Sequence, residues 1–225
     1  MALPFEQFPA LSAINICRHV FAQRIPGIDV SHDKAEVLKR LDVAHQEIRN
    51  ATGFGDWPLF TAEQIHGNKI AVIDSCSRGP VGREFPACDG IITNQRGVAL
   101  GIYVADCCAV YIVDPKTPAI GLVHSGRKGT ELGVVTNAIR QMIERFGSDP
   151  ANMIVQLSPC IRLPHYEVDF ASEIIRQCRV LGVQHIHDSG TCTACDLARY
   201  YSYRAEKGKT GRMLAVVGLH LTIAN

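Results

Sequence analysis

The sequence predicts an α+β fold, one compact domain in which mixed β-sheets pack between helices. Three observations carry that expectation. The chain has 225 residues, enough for one sizeable core and short for two full domains. Short β-branched runs crowd the stretch between Leu59 and Ser125. After it, helices and strands mix irregularly, without the strand–helix–strand cadence of a doubly wound sheet. No repeat, low-complexity segment or linker interrupts the chain, so one domain is expected over residues 1–225.

The elements follow in order. From Asp33 to about Asn50, Val37, Leu38, Leu41, Ala44 and Ile48 share a helical face, with Gly53 as the stop. Strands are expected at Ile70 to Ile73, Gly90 to Thr93, Val98 to Val104, Val110 to Val113 and Ile120 to Val123, each bounded by Gly, Pro or Asp. A second helix is capped by Thr130, ends at Gly147, and aligns Leu132, Val135, Ile139, Met142, Ile143 and Phe146. A strand at Ile154 to Leu157, a helix from Phe170 to Leu181 closed by Gly182, a short helix from about Asp196 and a strand from Met213 to Thr222 complete the reading.

Composition excludes several classes. Lys plus Arg number 23 against 22 Asp plus Glu, so no basic surplus points to nucleic acid or an anionic membrane. The longest apolar run, Val98 to Ala105, is too short to span a bilayer, and residues 1–10 lack a signal-peptide pattern. Nine cysteines is an odd count in a chain long enough to need no disulfide staples. A reducing, cytoplasmic setting is expected, with thiols serving packing, metal binding or catalysis.

Walker, dinucleotide Gly-x-Gly-x-x-Gly and Gly-x-Ser-x-Gly motifs are absent from the sequence. His and Cys residues beside Gly at strand ends remain. His66 precedes the strand at Ile70, Cys107 follows Ala105-Asp106, and His124 ends a strand before Ser125-Gly126-Arg127-Lys128-Gly129. Two imidazoles and a thiolate suit Zn2+, and three protein ligands leave the open position a catalytic zinc needs. Asp106 could support a ligand or act as a base. The structural alternative stays open, because long-range ligand sets have no fixed spacing: satisfied histidines and a core cysteine. Cys107 and Cys108 would point to opposite faces of a strand, so only one can face a site. Cys192-Thr193-Ala194-Cys195 lacks a second pair at zinc-ribbon spacing and reads as a turn. Arg127 and Lys128 precede a helix, where an anion is favoured, or else they form a solvated turn.

These residues resemble the laccase-domain, or multicopper polyphenol oxidase, family. The counterparts of its motifs are Gln64-Ile65-His66-Gly67, Asp89-Gly90-Ile91-Ile92-Thr93, Ala105-Asp106-Cys107, and His124-Ser125-Gly126-Arg127-Lys128-Gly129. Ser158-Pro159-Cys160-Ile161, Tyr166-Glu167-Val168, Cys192-Thr193-Ala194-Cys195, Ser202-Tyr203-Arg204 and Thr210-Gly211-Arg212 continue them in order. The resemblance implies a zinc-dependent purine nucleoside phosphorylase acting on adenosine, guanosine, inosine and methylthioadenosine, with adenosine deamination as a second reaction. It implies zinc on His66, Cys107 and His124, and phosphate and a nucleoside as partners. Arg24 and Lys128 are expected to neutralise the phosphate, with Asp106 relaying a proton. The family's Trp-Arg is Arg127-Lys128 here, and the glycine-rich segment after Phe21-Ala22-Gln23-Arg24 is shortened.

Two other readings use the same residues. Cys107 as nucleophile with His124 as base would make a cysteine hydrolase or amidase. A zinc- or nucleoside-binding protein with altered catalysis would suit the Arg127-Lys128 departure. A dedicated copper laccase fails on arithmetic: among nine His, His185-Ile186-His187 is the sole His-x-His.

Overall fold

The structure, a computed structural model, describes residues 3–74 and 83–221. In chain order the elements are β1 (Phe5–Glu6), α1 (Pro9–Ser12), β2 (Cys17–Ala22), α2 (Lys34–Ala51), β3 (Leu59–Ala62), β4 (Ile70–Ile73), β5 (Glu84–Phe85) and β6 (Gly90–Thr93). They continue with β7 (Ala99–Val104), β8 (Cys108–Asp114), β9 (Ala119–Ser125), α3 (Arg127–Glu131), α4 (Val134–Phe146), β10 (Ile154–Leu157), α5 (Phe170–Val180), β11 (His185–Asp188) and β12 (Met213–Leu219). Single 3₁₀ turns lie at Pro150–Asn152 and Thr193–Cys195.

The strands form two six-stranded mixed sheets, ordered β1-β2-β12-β7-β3-β5 and β11-β10-β8-β9-β6-β4. Period-two alternation explains how they meet. In β8, Ala109, Tyr111 and Val113 join the core shared with the first sheet, whereas Cys108, Val110 and Ile112 face the core with α4 and α5. The Tyr111 hydroxyl donates to the Val20 carbonyl at 2.9 Å, so even the polar tip of this buried ring is satisfied across the sheets. α2 packs on β2 through Val37, Leu41 and Ile48. The α+β expectation holds.

Helix signals behave as their chemistry demands. Asp33 caps α2 by accepting the Glu36 N–H, and Asp169 caps α5 by accepting that of Ser172. Gly147 ends α4 in the left-handed region at φ 71°. Thr130, expected to cap that helix, does not. Its hydroxyl is spent inside α3 on the Gly126 carbonyl and on Ser125, and α4 begins after Gly133. Leu132 and Ile143 consequently stay exposed, and the buried face is Val134, Val135, Ala138, Ile139 and Met142. No helix starts near Asp196, because its carboxylate accepts the Ala198 and Arg199 N–H groups and closes a turn. The last strand stops at Leu219; Thr222 lies outside the described residues. The strand at β2 was not foreseen. It is almost wholly buried, but Arg18 and His19 break its apolar pattern.

Candidate metal centre

The topology brings four chain segments to one end of the second sheet. β4 and β6 run parallel, so their starts lie together; β9 is antiparallel to β6 and ends there; β8 is antiparallel to β9 and starts there. His66 precedes β4, Asp89 precedes β6, Cys107 precedes β8, and His124 is near the end of β9. One donor atom from each of His66, Cys107 and His124 lies within 4.8 Å of the others. Cys108, the adjacent thiol, points the other way into the helix-facing core, as alternation requires.

Asp89, fully buried, organises this corner. One carboxylate oxygen accepts the His66 N–H at 2.8 Å and sits 2.9 Å from His124 Nδ1; the other accepts the Gly67 N–H at 2.7 Å. Because Nδ1 is held there, Nε2 is the ring atom left for Cys107 or a metal, the arrangement by which carboxylates orient ligating histidines. Burial raises the Asp89 pKa, but His124 and the two N–H donors outweigh it and hold the carboxyl below its usual range. Gln64 ties the same loop to the first sheet: its Nε2 donates to the Tyr103 carbonyl at 2.5 Å, and its Oε1 accepts the Tyr103 N–H at 2.9 Å.

Backbone strain marks the same places. Gln64, His66 and Asp106 have φ of 64°, 63° and 79°, in the left-handed region that costs an L-residue about 1 kcal/mol or more. Gly126 fits for a different reason, since a Cβ there would collide with Cys107 Sγ.

The thiol and imidazole polarise each other. Burial would push the Cys107 pKa up, but His124 and His66 bring it down to about 6; burial would lower His124, but the thiolate and Asp89 carry it up to about 9. Both shifts favour the proton on His124 and the negative charge on Cys107, with the His66 ring beside them. Replacing the shared proton by a cation satisfies all three, so the donor chemistry fits a metal ion.

These residues form one wall of a cavity of about 610 Å3. Tyr103, Tyr166, Phe170 and Tyr203 supply aromatic surface among polar groups, a lining suited to a planar ligand. Asp106 lines it too, with its carboxylate engaged: the Thr193 hydroxyl donates at 2.7 Å and the Arg204 N–H at 2.6 Å.

The other expected phosphate residues are placed elsewhere. Arg24 does not line this cavity. It pairs with Glu206 at 2.7 Å and lies over the Tyr201 ring at 4.3 Å, which clamps the segment that carries Tyr203 and Arg204. Lys128 is exposed on α3 outside the cavity, and its neighbour Arg127 lines the wall instead. Sequence reasoning missed Lys34 and Arg212 in the lining and the role of Asp89. Asp89 left a signal, an Asp just ahead of a strand that starts beside the ligands, and Arg212 another, as the last residue of Thr210-Gly211-Arg212; Lys34 left none.

The family model described as multi-copper polyphenol oxidoreductase laccase matches residues 18–178 and 168–220. The chain is 28% identical over 230 residues to purine nucleoside phosphorylase YlmD of Bacillus subtilis, covering 86% of this chain and 81% of that protein. It is 33% identical over 183 residues to a purine nucleoside phosphorylase of Corynebacterium glutamicum, covering 70% and 72%. The crystal structure of YlmD from Geobacillus stearothermophilus superposes with a TM-score of 0.78 at 24% identity, over 97% of this chain and all of that one.

Proposed function

The chain belongs to the multi-copper polyphenol oxidoreductase laccase family, and from that premise we propose that it is a zinc-dependent purine nucleoside phosphorylase. The observation that carries this reading is the His66–Cys107–His124 corner, its donor atoms within 4.8 Å, opening into a cavity lined with aromatic rings and cations. The relatives named purine nucleoside phosphorylase supply the reaction class. Adenosine, inosine, guanosine and methylthioadenosine are the substrates proposed, with adenosine deamination as a second activity.

His66, Cys107 and His124 would hold the zinc, two imidazoles and a thiolate being a donor set this borderline ion prefers over harder cations. Bound there, zinc would supply Lewis acidity at that wall of the cavity. The chain's own residues do the rest. Asp89 fixes the rotation of His124 and the loop of His66. Tyr103, Tyr166, Phe170 and Tyr203 enclose a purine and exclude water. In phosphorolysis the bond from a phosphate oxygen to ribose C1′ forms as the C1′–N9 bond breaks. The electron pair leaves with the purine, and the proton of the hydrogen phosphate ends on it. Cations in the wall lower the charge repulsion that this approach would otherwise meet.

A second reading rests on the same corner. The lowered Cys107 thiol, His124 and Asp89 form a nucleophile–imidazole–carboxylate chain of the kind thiol hydrolases use. Metal dependence separates the two. Zinc-loaded protein is incubated with adenosine, with and without phosphate, and products are resolved by chromatography. Adenine plus ribose 1-phosphate only with phosphate, abolished by chelator and by Cys107→Ala, is the expected result. Turnover that survives complete removal of metal would overturn the zinc reading in favour of the thiol.

A further inference from the structure

The cations of the cavity wall divide by what neutralises them. Arg127 is paired with Glu131 at 3.0 Å, and Arg204 with Glu167 at 2.7 Å, all four exposed side chains. Lys207 is exposed at the rim. Arg212 differs. Among the described residues no carboxylate lies within ion-pairing distance of it, and its Nη1 donates to the backbone carbonyls of Thr210 at 3.1 Å and Gly211 at 2.8 Å. Those bonds fix the guanidinium, while Nε and Nη2 donate to no protein acceptor among the described residues. Lys34, in the first turn of α2, likewise lacks a carboxylate partner, and its ammonium reaches the Glu63 carbonyl at 3.4 Å.

These two cations are close enough to disfavour each other. Burial and then the Arg212 charge lower the Lys34 pKa, against the charges of Glu84, Glu63 and Asp89; burial lowers that of Arg212, opposed by Tyr203, Cys107 and Asp106. Two cations lining one cavity, neither held in an ion pair among the described residues, draw an anion into it. A planar guanidinium with free donors beside an ammonium matches a tetrahedral oxyanion, since the first fixes orientation and the second acts as a point charge.

We propose that Arg212 and Lys34 form the subsite for inorganic phosphate, on the cavity wall beside Cys107. The proposal rests on the phosphorylase reading for its role and on the unpaired cations for its place. Neither residue gains or loses a proton; they hold the attacking oxyanion and neutralise it as it approaches ribose. They take the task that charge alone would assign to Arg24 and Lys128, which the structure keeps out of this cavity.

The test varies inorganic phosphate at saturating nucleoside in Arg212→Gln and Lys34→Ala, with circular dichroism to confirm folding. Removing a charge-assisted contact should raise the phosphate KM about tenfold or more in Arg212→Gln and about threefold in Lys34→Ala, with nucleoside KM unchanged. Calorimetric titration with inorganic phosphate gives a readout independent of turnover, with binding to the parent protein weakened in both variants. Lys34→Ala decides alone if Arg212→Gln does not fold, because it keeps the Asp33 cap of α2. Wild-type phosphate affinity in the folded variants, or no phosphate binding by the parent protein, would overturn the subsite. If the parent binds phosphate but releases no purine, and the variants lose that binding, the subsite stands and the phosphorylase reading falls.

Discussion

The cavity is walled by two regions built on opposite plans. The ligand corner hangs on strand ends of the second sheet, and its key carboxylate is buried under three hydrogen-bonding partners from two segments. The cationic wall is carried by residues outside strands, Lys34, Arg204 and Lys207 among them, and most of its charges are exposed. The corner is therefore set before any ligand arrives, and the wall can adjust to one. A metal ion demands fixed donor geometry, whereas an anion in water-filled space tolerates movement as long as the charge is met.

The contrast can be broken at its strongest point first. Cys107→Ala should remove the anionic donor and lower zinc affinity by about a thousandfold or more, read by competition with a chromophoric chelator. Asp89→Asn keeps shape but exchanges an acceptor for a donor opposite backbone N–H groups. Metal affinity should fall by about ten- to a hundredfold, with a lower melting temperature even without metal. Equal metal affinity in Asp89→Asn would mean the corner is not held by that carboxylate.

How much of this was legible in sequence follows the same division. Strand ends announce themselves through Gly and Asp punctuation, so His66, Cys107 and His124 stand out although the fold alone unites them. The α+β class was legible from the strand cluster, α2 from its apolar spacing and α5 from the Gly182 stop. The cationic wall was legible only through the resemblance, with Arg127, Arg204 and Arg212 in motifs it carries and Lys34 in none. Lys34 sits at a helix start and Arg212 just before β12, and nothing in either neighbourhood links them. Arg24 and Lys128 carry the right charge beside recognisable motifs, but one is spent on Glu206 and Tyr201 and the other faces outward. The buried His19 hid β2, because a polar side chain satisfied by tertiary contacts reads as a break in the pattern.

Weaker perturbations sharpen the comparison. Stability should depend on two buried histidines, His19 and His45. His19 accepts the Phe8 N–H at Nε2, and burial lowers its pKa to about 4; burial lowers that of His45 to about 4 as well. In the unfolded chain both take up protons near pH 6.5, before the folded protein does. Folding stability is therefore full above that value and falls as pH drops from about 6.5 towards 4, which urea titrations across that window would show. Replacing His19 by Gln should flatten part of the slope. The smallest effect is expected for Lys128→Ala, with phosphate KM within twofold of the parent protein. A larger change would return the phosphate to the turn after β9 and dissolve the distinction between the two walls.

The position of β12 has a consequence for the protein's birth. This strand lies between β2 and β7, yet the whole second sheet is translated before it. Until it emerges from the ribosome, β2 and β7 each present an unpaired edge, and the first sheet exists as two separate halves. The second sheet, whose strands are complete by β11, has no such delay. The nascent chain should thus acquire one finished layer and wait, its apolar inner surface open to chaperones, for a single late segment to close the other.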